Sequence, residues 1–217
     1  MSLVPVKTPS VVKKMFPNYT WSIPTTEAVI YLTFDDGPTP EITEWTLQQL
    51  KKFNAKATFF CIGNNVEKYP DVFQSITNHG HTIGNHTHNH LKGWKTLTKD
   101  YIENVSKADS VIANHQSSPT RLFRPPYGKI KPKQAKKLKA LGYQIIMWDV
   151  ISFDWDKDVS NEKCLENVIK NSEKGSIIVF HDSIKASKNM KYVLPKVLDY
   201  YSKLGFTFKS LDFTGIV

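Results

Sequence analysis

The sequence has few cysteines and no long apolar run, and both deficits exclude classes of protein. Its two cysteines, Cys61 and Cys164, are too few for a disulfide framework, and we expect both to be buried apolar residues. No run approaches the ~20 apolar residues that span a membrane. The first 24 residues contain prolines and lysines and lack the apolar core of a signal peptide. The given sequence therefore predicts a cytoplasmic protein. If an export signal has been removed from it, the expected location is outside the cytoplasmic membrane.

Acidic residues are also in deficit, since 20 Asp and Glu stand against 29 Lys and Arg, for a formal net charge of +9. Six lysines fall between residues 129 and 139. Such a surface can attract nucleic acid, anionic lipid or an acidic polymer. No nucleic-acid motif accompanies the charge, however, and Ala135, Leu138 and Leu141 give this segment an apolar side. We therefore interpret it as a solvated helix face and expect no nucleic-acid partner; the oligomeric state is not indicated.

Strand-like apolar runs alternate with amphipathic runs along most of the chain. Some are apolar almost throughout, as in strands of a parallel sheet that are buried on both faces. The first helix after a strand is expected to start with Thr39 as its N-cap and Pro40 at its first position. We predict one catalytic domain over residues 27–217, preceded by an irregular arm over residues 1–26. The predicted strands are 28–34, 57–62, 81–85, 121–124, 144–150, 176–181 and 206–210.

Seven strands alternating with helices predict a parallel α/β fold. The polar motifs follow the ends of several different strands, as they do in barrel enzymes, whereas an open sheet would place its site at one switch point. We therefore expect a closed or nearly closed seven-stranded β/α barrel.

Two adjacent carboxylates follow the first predicted strand, in residues 33–38 (TFDDGP). Neighbouring residues of a strand point to opposite faces, so Asp35 and Asp36 are expected to have different roles, one binding a metal and the other handling protons. A turn in which an Asp caps a helix would explain one carboxylate and the Gly-Pro pair. It would not explain the histidines that follow the third strand.

Those histidines lie in residues 84–90 (GNHTHNH). If residues 86–90 form a helical turn, His86 and His90 share one face and can bind one metal, while His88 points to solvent or to a neighbouring group. A carboxylate and two imidazoles form a three-ligand set that leaves positions open, as in catalytic zinc sites. Such a metal lowers the pKa of bound water towards ~7 and polarises a carbonyl oxygen.

Three later strands also end in polar clusters. Arg124 can hold a carboxylate, and the backbone N–H of Tyr127 is available to an oxyanion, unlike the two prolines before it. Asp154 and Trp155 follow the fifth strand. His181 ends the sixth strand and is a candidate acid that a nearby carboxylate would keep protonated.

From about residue 27 to residue 210, the chain resembles the polysaccharide deacetylases of carbohydrate esterase family four, which share the nodulation-type deacetylase domain. Five segments look like that family's motifs and occur in the family order. They are residues 33–38 (TFDDGP), 86–90 (HTHNH), 124–127 (RPPY), 154–155 (DW) and 179–181 (VFH). The resemblance implies a distorted seven-stranded barrel and a glycan substrate.

The resemblance also implies roles for the first three motifs. Asp36, His86 and His90 would be ligands of a divalent metal, usually zinc, although cobalt, nickel or manganese can also occupy such sites. Asp35 would be the general base that takes a proton from water, and Arg124 would orient it.

For the remaining motifs, the resemblance implies that Tyr127 lends its backbone N–H to the oxyanion and that Trp155 lines the pocket for the acetyl methyl group. Asp154 would support His181, the general acid that protonates the leaving amine. Ile151 departs from the family pattern, because many members have Asp at this position. Asp149, two residues earlier on the predicted strand, offers a partial replacement.

We therefore expect a metal-dependent de-N-acetylase of N-acetylglucosamine-containing glycans, such as chitin oligomers or peptidoglycan. Within enzymes, the alternatives are O-deacetylation of acetylated xylan and hydrolysis of small amides on the same fold. Outside enzymes, the alternative is a glycan-binding protein with an inactive site.

Overall fold

The computed structural model describes residues 4–116 and 121–212. The strands are β1 (Val29–Asp35), β2 (Ala57–Cys61), β3 (Thr82–Asn85), β4 (Leu122–Phe123), β5 (Gln144–Ile145), β6 (Val150–Ile151), β7 (Ile177–His181) and β8 (Thr207–Phe208). The α-helices are α1 (Ser10–Met15), α2 (Ile42–Lys52), α3 (Gly63–Lys68), α4 (Pro70–Asn78), α5 (Thr98–Ala113), α6 (Pro132–Ala140), α7 (Asn161–Ile169) and α8 (Ser187–Lys203). None of the helices in this part of the chain is both long and apolar enough to cross a membrane.

Seven strands follow one path in the order β5-β4-β3-β2-β1-β7-β6, and β8 pairs with the beginning of β1. Every strand pairing described is parallel, so the carboxyl ends of the strands meet at one edge. Helices follow the strands, which gives the sheet its curled α/β form. The expectation of a distorted seven-stranded parallel β/α barrel in a single domain is confirmed.

The prediction of one strand over residues 144–150 is wrong. The segment forms β5 at one edge of the sheet and β6 at the other, and residues 146–149 cross the gap between them. The N-terminal arm fills this seam: Thr20 exchanges backbone hydrogen bonds with Ile145 and Met147, and the Thr8 N–H donates to the carbonyl oxygen of Asp149. The continuous apolar run reflects burial under the arm rather than regular pairing. The arm includes helix α1, and its boundary at residue 26 stays a prediction.

The two faces of β1 serve different layers. Ile30, Leu32 and Phe34 face outwards into the main core cluster, which includes Leu47 of α2 and Val197 of α8. The Phe34 ring stacks on Phe59 and Phe180 of the neighbouring strands, at centroid distances of 5.0 and 6.0 Å. This layer anchors the strand whose end carries the first motif.

The opposite face of β1 looks into the barrel. Thr33 and Asp35 on this face both accept hydrogen bonds from Arg124. The expected helix start at Thr39 and Pro40 is wrong, because α2 begins at Ile42 with Glu41 as its N-cap. The Glu41 N–H donates to the side chain of Glu44, so a capping box replaces the predicted threonine cap.

Candidate active site

The carboxyl edge of the barrel brings Asp36, His86 and His90 together. Their ligand atoms lie within 4.8 Å of one another. Asp36 Oδ1 lies 3.2 Å from His90 Nε2 and 3.7 Å from His86 Nε2. This oxygen is buried and has no hydrogen-bond partner among the described residues, although a buried carboxylate oxygen normally has one. The donor set therefore fits a divalent metal.

The charge state of these groups also suits a metal. Burial acts to raise the pKa of Asp36, but His90, His181 and His86 beside it hold that pKa well below its ordinary value. Burial lowers the pKa of His86 to about 4, so its ring is neutral at neutral pH. His86 Nδ1 lies 2.7 Å from the carbonyl oxygen of Arg124, which orients Nε2 towards Asp36.

The loop that carries His86 and His90 is not the helical turn that the sequence predicted. Thr87 and His90 have positive φ angles of 64° and 54°, and side chains hold the loop in place. The Thr87 N–H donates to Asn85 Oδ1, and the N–H groups of His88 and Asn89 donate to Asn104 Oδ1. The conformation of this hydrogen-bonded loop, rather than the spacing of a helix, brings the two imidazoles together.

His88 does not face solvent. Its side chain is buried, and its Nε2 lies 3.6 Å from the Glu67 carboxylate of α3. The positive φ of Thr87 places alternate histidines on opposite sides of the loop, so His88 packs against α3 and away from the ligand cluster.

Asp35 forms a buried ion pair with Arg124. Nη1 of Arg124 donates to Asp35 Oδ1 at 2.8 Å and to the Thr33 hydroxyl at 2.6 Å, and Nη2 donates to the carbonyl oxygen of Met147 at 2.8 Å. The guanidinium also lies 4.2 Å from the centre of the Phe60 ring. Because Arg124 is completely buried and anchored on three elements, it fixes the Asp35 carboxylate in one orientation.

Asp36 does not face away from Asp35, as strand alternation predicted. The strand ends at Asp35, and a positive φ of 81° at Asp36 turns the second carboxylate back into the same cavity. The two carboxylates therefore differ in their partners rather than in the face they occupy.

His181 lines the same cavity as the ligand cluster and is held by Asp154. Its Nδ1 lies 2.8 Å from Asp154 Oδ1, and its backbone N–H donates to Asp154 Oδ2 at 2.7 Å. Burial alone would lower the pKa of His181, but Asp154, with Asp36 and Asp35, raises it to about 9. The imidazole is therefore a cation at neutral pH, able to donate a proton.

Tyr127 and Trp155 form walls of the cavity, whose volume is about 380 Å³. The Trp155 ring lies 4.7 Å from the His181 ring and stacks on Phe153 at 5.1 Å. Tyr127 has a φ of 60°, and no group in residues 4–116 or 121–212 accepts a hydrogen bond from its backbone N–H. Seven of the nine predicted site residues line this cavity, while Arg124 and Asp154 lie directly behind it.

Asp149 does not compensate for Ile151. The Asp149 carboxylate is bound by Lys13 at 2.6 Å, by Lys7 at 3.2 Å and by the hydroxyl of Ser176. Because Lys7 and Lys13 belong to the N-terminal arm, these contacts hold the arm on the barrel. The same-face argument fails because Asp149 lies in the crossing segment, before β6 begins at Val150. Ile151 itself is buried and contributes an apolar wall to the cavity.

Sequence reasoning gave no role to Asp182. This carboxylate is completely buried beneath the first motif, where Oδ1 accepts the Gly37 N–H at 3.1 Å and Oδ2 accepts the Thr43 hydroxyl at 2.5 Å. A Cβ at Gly37 would lie 2.1 Å from Asp182 Oδ2, which explains the glycine. In the sequence, only the position of Asp182 directly after His181 pointed to a role in the site.

Comparisons with known proteins agree with this geometry. The family model described as polysaccharide deacetylase matches residues 22–146. Two curated proteins of Bacillus cereus, both named peptidoglycan-N-acetylglucosamine deacetylase, are 39% identical over 165 residues and 33% identical over 199 residues. The first match covers 76% of this chain but only 60% of the relative, and the second covers 89% and 91%.

Among solved structures, this fold is similar to that of the Bc1960 peptidoglycan N-acetylglucosamine deacetylase in complex with 4-naphthalen-1-yl-N-oxidanyl-benzamide. The TM-score is 0.86 at 34% identity, over 94% of this chain and 95% of that chain. The family match covers more than half of the sequence, and the fold agrees over almost all of it. The chain therefore belongs to the polysaccharide deacetylase family.

Proposed function

We propose that the protein is a metal-dependent deacetylase that removes the acetyl group from nitrogen in N-acetylglucosamine-containing glycans. One observation carries the proposal. The donor cluster of Asp36, His86 and His90 opens into a cavity that also contains a carboxylate held by Arg124 and an imidazolium held by Asp154. Hydrolysis of an amide needs this combination of a base, an acid and an electrophile.

Asp36, His86 and His90 would hold the metal. Zinc suits two imidazoles and one carboxylate, while cobalt, nickel and manganese accept the same donors. A bound divalent metal would lower the pKa of coordinated water and polarise the acetyl carbonyl. The unpartnered Asp36 Oδ1 supports this assignment, because a cation would satisfy it.

Asp35 is the proposed general base. Its Oδ1 is occupied by Arg124, so the carboxylate is held in one orientation with its other oxygen available to take a proton from the attacking water. Because the ion pair is buried, solvent does not screen the attraction between Arg124 and Asp35, and the carboxylate stays in place.

Attack on the acetyl carbon develops negative charge on the carbonyl oxygen, and the free backbone N–H of Tyr127 is the proposed donor to it. Collapse requires a proton on the leaving nitrogen, which His181 supplies from its cationic form. Asp154 keeps that proton in place until it is transferred. The products are acetate and a free amine.

The substrate class rests on the relatives and on the cavity. The relatives compared above are named for action on N-acetylglucosamine of peptidoglycan. Trp155 and Ile151 provide the apolar wall that an acetyl methyl group needs. The compound in the related complex is an N-hydroxyamide, a group whose two oxygens chelate divalent metals, and this chemistry supports the proposed metal dependence.

The test is acetate release from a matched panel of N-acetylglucosamine oligomers, acetylated xylan and a small N-acetyl amine. We expect release from the oligomers at the highest kcat/KM. Preferential release from xylan would replace the proposal with O-deacetylation. Tight glycan binding without release from any substrate, by protein with metal bound, would favour the inactive glycan-binding alternative.

A further inference from the structure

Two long parts of the sequence contain no acidic residue. There is no Asp or Glu between Asp71 and Asp100, and none between Asp109 and Asp149. Both parts are rich in lysine near their ends, at residues 92–99 and 129–139. If the fold places these lysines on one face, the resulting charge is not offset locally by acidic residues.

The fold joins these two lysine-rich segments. The indole N–H of Trp94 donates to the carbonyl oxygen of Ile130 at 3.1 Å, and Lys131 Nζ donates to that of Thr96 at 2.8 Å. Gln134 Nε2 donates to the carbonyl oxygen of Gly93 at 3.0 Å. We call the result the basic face, which consists of Lys92, Lys95, Lys129, Lys131, Lys133, Lys136, Lys137 and Lys139.

The cations of the basic face have no acidic partners. Within the described ranges, no carboxylate lies within 4.0 Å of any of these eight ammonium groups. Some lysines elsewhere are paired, as Lys163 and Lys170 are with Glu166 on α7 and Lys203 is with Asp199 on α8, whereas all eight cations of the basic face lack such a pair in the described part of the chain. The basic face therefore keeps its charge available for an external anion.

The basic face is continuous with the active-site cavity. Tyr127 and Lys129 both line the cavity, and Lys92 Nζ lies 4.6 Å above the Tyr127 ring. Lys129 Nζ lies 5.0 Å from the Trp94 ring in turn. Tyr127 and Trp94 are 54% and 59% exposed, so two exposed aromatic rings accompany the lysines where the basic face meets the cavity. Aromatic rings of this kind can pack against sugar rings.

We propose that the basic face binds anionic groups on the glycan strand whose acetylated sugar occupies the cavity, so that the preferred substrate is a negatively charged N-acetylated glycan. This inference rests on the proposed function for the position of the reacting sugar. A glycan is favoured over other polyanions because the face begins at the cavity wall and presents aromatic rings there. The recognised chemistry is a carboxylate or a phosphate carried by the strand, placed along the path from Tyr127 to α6.

The test compares three soluble probes of equal length: the N-acetylglucosamine hexamer, its 6-O-carboxymethyl derivative and its 6-O-phosphorylated derivative. Binding is measured by calorimetry with the full chain carrying Asp35→Asn and loaded with zinc, so that the probes stay intact. We expect at least one anionic probe to bind about tenfold more tightly than the neutral hexamer at about 50 mM salt, and the gap to close at about 500 mM salt. The stronger of the two anionic probes identifies whether carboxylate or phosphate is preferred.

Variants then locate the interaction. Lys129→Gln, Lys133→Gln and Lys137→Gln together are expected to abolish the preference for the anionic probe. The matched control is Lys51→Gln, Lys191→Gln and Lys196→Gln, which removes three exposed lysines of α2 and α8 that form no ion pair within 4.0 Å among the described residues. This control is expected to keep the preference.

Equal affinity for neutral and anionic probes, or the same loss in both triple variants, would overturn the proposal. Competition by a short DNA duplex as strong as that by the anionic hexamer would overturn the assignment to a glycan. Acetate release from the neutral hexamer is measured separately with the unmodified protein. If acetate is not released but the anionic probes still bind more tightly, the proposed reaction is contradicted while the proposed role of the basic face is supported.

Discussion

The carboxylate of Asp154 contacts His181 twice, at the ring Nδ1 (2.8 Å) and at the backbone N–H (2.7 Å). The same contact thus fixes the position of the residue and the protonation of its ring. Burial opposes the charged imidazole, so the raised pKa of about 9 depends on Asp154 and, more distantly, on Asp36 and Asp35. This pair makes the proton donor of the proposed reaction sensitive to a single substitution.

Asp154→Asn is expected to move the alkaline limb of the kcat profile to lower pH by about one unit or more, because removal of the carboxylate charge lets burial dominate the pKa of His181. His181 must be protonated to donate, so turnover in the variant fails at a pH where the unmodified protein still works. The measurement is kcat from pH 6 to 10 for both proteins. An unchanged alkaline limb with reduced kcat throughout would contradict the role of Asp154.

The free energy of unfolding of the metal-free protein should also depend on the protonation of His181. The folded pKa of His181 is about 9 against an ordinary 6.5, so protonation of His181 stabilises the folded protein by on the order of 3 kcal/mol below pH 6.5, and this is lost as pH rises through 9. The difference in unfolding free energy between the unmodified protein and Asp154→Asn is therefore expected to shrink across that range. Denaturant unfolding at pH 6 and pH 10 measures it, and a constant difference would show that the pair is not linked to protonation.

Asp35→Asn is expected to lower kcat about 10²- to 10⁴-fold, the usual contribution of a general base, while zinc affinity changes little. The amide keeps an acceptor for Arg124 but takes up protons poorly. Kinetics and a zinc titration on the same preparation separate the two effects. Near-normal turnover would remove Asp35 from the role, and a parallel loss of zinc would reassign it to the ligand set.

Asp182→Ala is expected to weaken zinc binding about 10- to 100-fold, because Gly37 and Thr43 lose the acceptor that holds the first motif beneath Asp36. Asp182→Asn is the conservative control, since its amide oxygen can still accept the Gly37 N–H. We expect zinc affinity to be restored there, with a melting temperature near that of the unmodified protein. Equal losses in both variants would mean that the charge of Asp182, rather than its contact with the motif, matters.

Much of this site was predictable because its residues follow strand ends, and parallel strands bring those ends to one edge. The turn conformations were not predictable. Asp36, Thr87, His90, Tyr127 and Phe153 all have positive φ, a strained arrangement that tertiary contacts must impose. Alternation along a strand and spacing along a helix both assume regular backbone, so they misplaced Asp36 relative to Asp35 and suggested a helical turn for the histidine loop.

The interrupted strand is the clearest error of fold. Residues 144–150 are apolar because they are covered by the arm, and local hydrophobicity does not distinguish that cover from a neighbouring strand. Asp149 lies within this interruption and is bound by Lys7 and Lys13, whereas Ile151 lies on β6. Contacts between positions more than 120 residues apart decide both outcomes, and one sequence does not reveal them.

The most direct measurement is acetate release from N-acetylglucosamine oligomers by protein stripped of metal and then supplied with zinc or cobalt, beside Asp36→Ala treated in the same way. We predict that the stripped protein is inactive, that metal restores release, and that Asp36→Ala neither binds the metal tightly nor recovers activity. Full release from the stripped protein, or restoration of Asp36→Ala to normal turnover, would contradict a metal-dependent reaction at this cluster.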